Sequence, residues 1–166
     1  ISTFTCDDIG PNNVTLTVVD SAGNTATCVA LVTVEDVIAP EVICQNITVA
    51  LNSSGVANIT AAMIDGGSTD ACGIVTLEID VTTFDCTNIG TTNEVLFTVI
   101  DASGNTSSCT AEVTVEDTTE PLASCQDITV ELGTDGSVTI SSADIDNGSS
   151  DNCGGITFEI TPTTFD

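Results

Sequence analysis

Alternation of apolar and polar residues is the main pattern along this chain. Short alternating runs rich in Val, Ile and Thr are separated by clusters of Gly, Asn, Asp and Ser, which is typical of the strands and turns of a β-sandwich. Helix is nearly absent, with one turn expected at Ala61–Ile64. Residues 102–105 are expected to form a hairpin turn because Gly104 and Asn105 tolerate positive φ. The predicted strands are Val42–Leu51, Val56–Thr60, Gly73–Ile79, Thr82–Cys86, Glu94–Ile100 and Thr106–Val115.

The landmarks of the sequence recur about 81 residues later, which indicates a tandem repeat. Residues 1–36 correspond to the C-terminal half of one repeat, 37–117 form a complete repeat, and 118–166 correspond to the N-terminal half of the next. We therefore expect an all-β protein of tandem, disulfide-stapled sandwich repeats, taken from a longer array of like domains. The recurring pairs are Cys28 and Cys109, Pro40 and Pro121, Cys44 and Cys125, Cys72 and Cys153, and Phe84 and Phe165.

The charges of the chain are all of one sign. It carries 25 Asp and Glu and no Lys, Arg or His, for a formal net charge of −25. Nucleic acids and anionic membrane surfaces are bound through Lys and Arg, so both partner classes are excluded. No apolar run is long enough to insert into a bilayer. The usual catalytic bases and anion-binding groups are also missing, and we expect no enzymatic activity.

The cysteines favour disulfides over zinc, because the chain has neither His nor a CxxC pair. Disulfides place the protein in an oxidising, extracellular compartment. Cys44 and Cys109 are expected at one pole of the sandwich, while Cys72 and Cys86 bracket a hairpin, so the favoured bonds are Cys44–Cys109 and Cys72–Cys86. The pairs Cys44–Cys72 and Cys86–Cys109 remain the alternative. Under the favoured pairing, the partners of Cys6, Cys28, Cys125 and Cys153 would lie outside this sequence.

Several aspartates are expected to converge where one repeat meets the next. The strand directions place the loop 65–72 and the turn after Asp101 at the pole that receives the linker from the previous repeat. Converging carboxylates repel one another unless a cation lies among them, and oxygen ligands suit Ca²⁺. In the competing interpretation each Asp caps its own turn, and the acidic surface only keeps a long polymer soluble. The candidate ligands are Asp20, Asp36, Asp65, Asp70 and Asp101, followed by Asp117, Asp146 and Asp151 one repeat later.

Four motifs together resemble a hyalin repeat (HYR) domain: CQNITV at 44–49, DACG at 70–73, DASGN at 101–105 and CTAEVTV at 109–115. The chain is similar to the tandem HYR-like repeats of very large cell-surface and adhesion proteins of Bacteroidota. The resemblance implies an immunoglobulin-like sandwich, a cell-surface location, and cysteines matching Cys44 and Cys109, which supports that pair. Cys72 and Cys86 are additional to the simpler two-cysteine form, and the core Trp common in the family is absent.

Two hypotheses of function follow. In the first, the repeats are structural and space or stiffen an extracellular adhesin stalk or filament, with neighbouring repeats of the same long chain or filament as partners. In the second, the repeat is a calcium-dependent module that binds a surface glycan or protein. The near-identity of the units and the lack of any singular residue favour the first hypothesis.

Overall fold

The computed structural model describes residues 3–162 and, for the backbone, 164–165. Strands account for 41% of the chain and helices for 9%, so the protein is mostly β, as the alternation predicts. Its α-helices are α1 (Ala61–Ile64) and α2 (Ser142–Ile145), and none of the described helices is long and apolar enough to cross a bilayer. The strands are β1 (Gly10–Val19), β2 (Thr25–Val34), β3 (Ile47–Ala50), β4 (Val56–Asn58), β5 (Ile74–Ile79), β6 (Thr83–Asp85), β7 (Asn93–Asp101), β8 (Thr106–Glu116), β9 (Val138–Thr139) and β10 (Thr164–Phe165).

The largest sheet has four strands in the order β3–β8–β7–β5. The other three sheets have two strands each: β1 with β2, β4 with β6, and β9 with β10. In the β1–β2 hairpin the antiparallel register runs from Gly10 opposite Val34 to Val19 opposite Thr25. β5 pairs with β7 in antiparallel fashion, and a register shift interrupts this ladder between Ile74 and Thr76.

The predicted elements agree with the structure except at two places in the complete repeat. The hairpin expected between Cys72 and Cys86 is not formed, because β5 pairs with β7 and β6 with β4 instead of with each other. The other exception is the first strand. That strand was expected over Val42–Leu51, whereas β3 begins only at Ile47. The preceding residues pair with a loop instead: Glu41 forms an isolated bridge with Thr69, and Cys44 forms one with Asp65. Alternation indicates extended backbone but not which segment pairs with it. The pattern therefore could not separate the residues that pair with the loop from those that form β3.

The backbone forms two compact units, each with its own buried residues. The first comprises Ile1–Ile47, Thr60–Val81 and Glu94–Glu112, and the second Thr48–Ile59, Thr82–Asn93 and Val113–Asp166. Full burial of a Val, Leu, Ile or Phe side chain contributes roughly 1.5–3 kcal/mol. The buried apolar residues are Ile64, Val95, Phe97, Val99 and Ala111 in the first unit, and Val49, Leu51, Ala57, Ile59, Phe84, Val113 and Val115 in the second.

One apolar face is buried in one repeat and exposed in another. Phe97 and Val99 of β7 are 0% exposed, whereas their counterparts one repeat earlier, Leu16 and Val18 of β1, are each 57% exposed. The local sequence is similar in both hairpins. The difference arises because β7 lies inside a four-stranded sheet, while β1 and β2 form a sheet that no other described strand joins.

Three disulfides join distant parts of the sequence. Cys6 is bonded to Cys72 with a Cα–Cα distance of 5.3 Å, and Cys44 to Cys109 with 6.1 Å. Both bonds lie in the first unit. The third bond, in the second unit, joins Cys86 to Cys153 with a Cα–Cα distance of 5.4 Å. These distances lie in the range that a disulfide spans.

The expected bond between Cys72 and Cys86 is not formed, and neither are the alternative pairs Cys44–Cys72 and Cys86–Cys109. Cys72 belongs to the first unit and Cys86 to the second, and each lies next to a cysteine that is much further away in sequence. Their partners are Cys6 and Cys153, which were expected to pair outside this sequence. Cys28 and Cys125 are free and exposed.

Two of the three disulfides are the same bond at successive positions of the repeat. Cys86 corresponds to Cys6, and Cys153 corresponds to Cys72, each about 80 residues later. The sequence separations of the two bonds are accordingly 66 and 67 residues. With the repeat boundaries that the sequence predicts, each bond links a cysteine near the middle of one repeat to a cysteine in the following repeat, and we call this bond the inter-repeat disulfide.

Candidate functional site

Three of the predicted cation ligands come together in the first unit. One carboxylate oxygen from each of Asp36, Asp70 and Asp101 lies within 4.8 Å of the others. The three residues come from separate elements: Asp101 ends β7, Asp70 lies in the loop before β5, and Asp36 follows β2. We call these residues the acidic group.

Asp101 is the buried member of the acidic group, with 3% of its surface exposed. Its Oδ1 accepts hydrogen bonds from the backbone N–H groups of Ser103 and Asn105, both at 2.8 Å. Its Oδ2 accepts one from Nδ2 of Asn105, also at 2.8 Å. Burial raises the pKa of Asp101, but the hydrogen bonds from Asn105, Ser103 and Gly104 outweigh it, and the net pKa is lower than that of an ordinary aspartate.

The other two members also cap backbone turns. Oδ1 of Asp70 accepts hydrogen bonds from the N–H groups of Cys72 at 2.7 Å and Gly73 at 2.9 Å. Oδ1 of Asp36 accepts one from the N–H of Ile38 at 3.1 Å. Each aspartate therefore caps its own turn. The hydrogen bond from the N–H of Cys72 holds Asp70 beside the inter-repeat disulfide.

Asn105 connects two members of the acidic group. Its Nδ2 donates to Oδ2 of Asp101, to the backbone oxygen of Asp36 at 3.1 Å and to that of Ile38 at 3.3 Å. The turn after β7 is thereby fixed to the segment that follows β2. The sequence identified Asn105 only as a turn residue.

Asp65, which was expected at the same junction, is not a member of the acidic group. Its Oδ1 accepts hydrogen bonds from the N–H groups of Ser68 at 2.8 Å and Gly67 at 3.2 Å. These bonds, with Ser68 contributing most, lower the pKa of Asp65. Asp65 is therefore a turn cap, as the competing interpretation proposed for all these residues.

Asp20 forms the same turn as Asp101 one repeat earlier, but among the described residues it belongs to no group of three acidic side chains. Its Oδ1 accepts from the N–H groups of Ala22 at 2.9 Å and Asn24 at 2.7 Å, and its Oδ2 accepts from Nδ2 of Asn24 at 2.7 Å. The bonds from Asn24 are the main cause of a lowered pKa at Asp20. A turn of this type therefore forms outside an acidic group as well as within one.

The second predicted cluster does not form a matching group. In the part of the chain that the structure describes, the carboxylate oxygens of Asp117, Asp146 and Asp151 do not all come within 4.8 Å of one another, as those of the acidic group do. Asp117 accepts from the N–H of Thr119 at 3.0 Å, Asp146 from that of Ser149 at 3.0 Å, and Asp151 from that of Cys153 at 2.9 Å. The first group needs Asp101 from the end of β7, and the sequence after Asp117 contains no counterpart of that strand.

Two residues that the sequence did not single out, Asn152 and Gly55, lie beside the inter-repeat disulfide of the second unit. Nδ2 of Asn152 donates to the backbone oxygen of Asn52 at 3.1 Å and to Oδ1 of Asp117 at 3.2 Å. Gly55 has a φ of +72°, and a Cβ at this position would lie 2.8 Å from Sγ of Cys86 and 3.0 Å from the backbone oxygen of Asn152. Only Gly fits beside this bond.

A signal for some of these residues was present in the sequence. Gly55 and Gly136 occupy the same repeat position, as do Asn24 and Asn105, and recurrence of a Gly or Asn indicates a required backbone or hydrogen-bonding role. Asn152 gives no such signal, because its counterpart is Ala71.

The acidic group contains only oxygen ligands, which is the chemistry that Ca²⁺ prefers. Ca²⁺ takes six to eight oxygens, so three carboxylates would supply part of a coordination shell. Turn capping explains the position of each aspartate separately, whereas cation binding would explain why three of them lie together. A comparison with protein-family models found no match, and a comparison with curated proteins found none either.

Proposed function

We propose that this chain is a structural repeat segment of an extracellular adhesin stalk or filament, where it spaces and stiffens a long secreted protein. The observation that carries the proposal is the inter-repeat disulfide, which occurs twice at equivalent positions. A bond that joins each repeat to the next serves a linear array directly.

Three further properties support the structural role. The repeats we propose are immunoglobulin-like sandwiches of the HYR type, and the four-stranded sheet together with the Cys44–Cys109 bond is compatible with such a fold. Three disulfides suit an oxidising compartment outside the cell. The net charge of −25 would keep neighbouring copies of such an array apart.

The location can be tested with an antibody raised against the folded chain. Immunogold labelling of intact cells of the source organism should decorate extended surface structures, and brief protease treatment of intact cells should remove the label. Labelling that appears only after the cells are permeabilised would overturn the proposal.

The acidic group favours a second candidate function, a calcium-dependent module that binds a surface glycan or protein. Three carboxylates within 4.8 Å of one another are the observation behind it. Bound Ca²⁺ would neutralise their repulsion and stabilise the fold by mass action. The glycan or protein partner would then bind only the calcium-loaded form.

The calcium dependence that the second function requires is tested by thermal unfolding with Ca²⁺ and with chelator. Asp70→Asn removes one charge and keeps an oxygen that can cap the turn, while Asp65→Asn makes the same change outside the acidic group. If Ca²⁺ is bound, it will raise the unfolding temperature of the wild type and of Asp65→Asn but not of Asp70→Asn. An unchanged wild-type unfolding temperature would leave all the aspartates as turn caps and remove the calcium-dependent module.

A further inference from the structure

The three disulfides overlap along the sequence. The first closes the loop from Cys6 to Cys72, the second that from Cys44 to Cys109, and the third that from Cys86 to Cys153. When a chain is pulled from its ends, its maximum length is set by the shortest covalent route between them. Here the shortest route from Cys6 to Cys153 crosses the first disulfide, follows the backbone from Cys72 to Cys86, and crosses the third.

We propose that the inter-repeat disulfides make this chain a tether of limited extension, in which tension is carried by residues 72–86 alone between the two bonds. This load-bearing segment contains about 14 peptide units and spans at most roughly 50 Å when fully extended. Without the bonds, the backbone from Cys6 to Cys153 would extend to roughly 500 Å. The bonds thus exclude most of the chain from the loaded path.

The position of the buried residues agrees with such a role. Of the buried apolar residues in the described part of the chain, only Phe84 lies in the load-bearing segment. The others lie between Cys6 and Cys72 or between Cys86 and Cys153, in loops that the disulfides shield from tension. Pulling therefore acts on β5 and β6 and leaves most of the buried positions unstretched.

The load-bearing segment is held by two ladders of backbone hydrogen bonds. β5 pairs with β7 between Ile79 opposite Phe97 and Ile74 opposite Asp101. β6 pairs with β4 at three positions, Asp85 with Val56, Phe84 with Ala57, and Thr83 with Asn58. These ladders resist the first part of the extension, and the disulfides then stop it. Because the bond recurs with the repeat, an array under tension would extend to only a small fraction of the contour length of its backbone.

The test is single-molecule stretching of the full chain, attached through peptide tags at both termini so that no cysteine is used for coupling. The oxidised wild type should reach a contour length of roughly 120 Å, and the fully reduced chain roughly 570 Å. Peptide mapping of the same preparation verifies which disulfides are present. A contour length of the oxidised chain close to that of the reduced chain would overturn the proposal.

Paired substitutions make the route itself testable. In the double variant Cys6→Ser with Cys72→Ser, the shortest route runs through Cys44–Cys109 and back along the chain to Cys86, so the contour length should grow by roughly 160 Å. In Cys86→Ser with Cys153→Ser, it should grow by roughly 200 Å.

The matched control is Cys44→Ser with Cys109→Ser, which removes a disulfide without touching the route and should leave the contour length unchanged. Contour lengths are read after all folded structure has ruptured, so they do not depend on the stability of a variant. A longer contour length in the control variant, or an unchanged one in the first two variants, would contradict the proposed load-bearing route. The limit depends only on disulfide connectivity, so it can hold even if antibody labelling excludes a cell-surface location.

Discussion

Asn105 donates a hydrogen bond from Nδ2 to the backbone oxygen of Asp36 over 3.1 Å, although the two residues are 69 positions apart. The bond fixes the turn after β7 to the segment after β2, and its donor also binds Asp101 and Ile38. A single amide thus holds together the elements that supply two of the three carboxylates of the acidic group.

Asn105→Ala should destabilise the protein by roughly 2 kcal/mol, because it leaves part-buried acceptors, one of them charged, without this donor. Urea unfolding can be followed by far-ultraviolet circular dichroism, since the chain has no Trp or Tyr for fluorescence. The control is Asn24→Ala, the counterpart whose side chain donates, among the described residues, only to Asp20, with an expected loss of about 1 kcal/mol or less. Equal losses at both sites would show that the bonds to Asp36 and Ile38 contribute nothing.

Gly55→Ala should destabilise the second unit more than Gly136→Ala, although both residues occupy the same repeat position. Both have positive φ, +72° and +80°, so each substitution costs about 1–2 kcal/mol of backbone strain. Only the Cβ at Gly55 would also contact Sγ of Cys86 and the oxygen of Asn152, which adds roughly 1–3 kcal/mol. Urea unfolding of the oxidised variants measures the difference. Equal effects would mean that the space beside the disulfide is not restricted.

The contribution of Asp65 to stability should depend on pH. Its pKa is lowered in the folded protein by hydrogen bonds from Ser68 and Gly67, so folding favours the ionised form. That stabilisation is complete at pH values above 3.8, the ordinary pKa of aspartate, and disappears as the pH falls through the lower pKa of the folded state. The wild type should therefore be more stable than Asp65→Asn near neutral pH, and the gap should close in strong acid. Thermal unfolding of both proteins across this range measures it, and a gap that does not change with pH would contradict the prediction.

Peptide mapping without reduction should recover three linked pairs: Cys6 with Cys72, Cys44 with Cys109, and Cys86 with Cys153. Alkylation in denaturant without reductant should modify Cys28 and Cys125 and no other cysteine. The chain has no Lys or Arg, so the digest requires a protease that cuts after acidic or apolar residues. A linked peptide containing Cys72 and Cys86 would restore the pairing that the sequence favoured.

The strands were predictable because alternation is a local property of the sequence. β7 and β8 lie within about a residue of their predicted bounds, and α1 has the predicted bounds. The start of β3 was not predictable in this way, because Glu41 and Cys44 pair with Thr69 and Asp65 of a loop. The exposure of Leu16 in β1 depends likewise on which strands join its sheet, and no local pattern contains that information.

The candidate site was predictable only in part. The strand directions indicated which aspartates share a pole, and Asp36, Asp70 and Asp101 lie together. Asp65 caps its own turn through Gly67 and Ser68, but Asp70 caps its turn in the same way through Cys72 and Gly73. Local turn capping, which the sequence does indicate, therefore does not decide which aspartates join the acidic group. The disulfides could not be assigned from spacing, because the partner of a cysteine is fixed by Cα distances that arise only after folding.

The overlapping loops of the three disulfides also make the chain tolerant of proteolytic damage. A backbone cut between Cys6 and Cys72 leaves its two ends joined through the first bond, and a cut between Cys86 and Cys153 leaves them joined through the third. A cut between Cys72 and Cys86 is bridged by Cys44–Cys109. No single cleavage from Cys6 to Cys153 can divide the protein into two pieces. In a long array exposed to extracellular proteases, a single cut would therefore open one loop and would not release the part of the array beyond it.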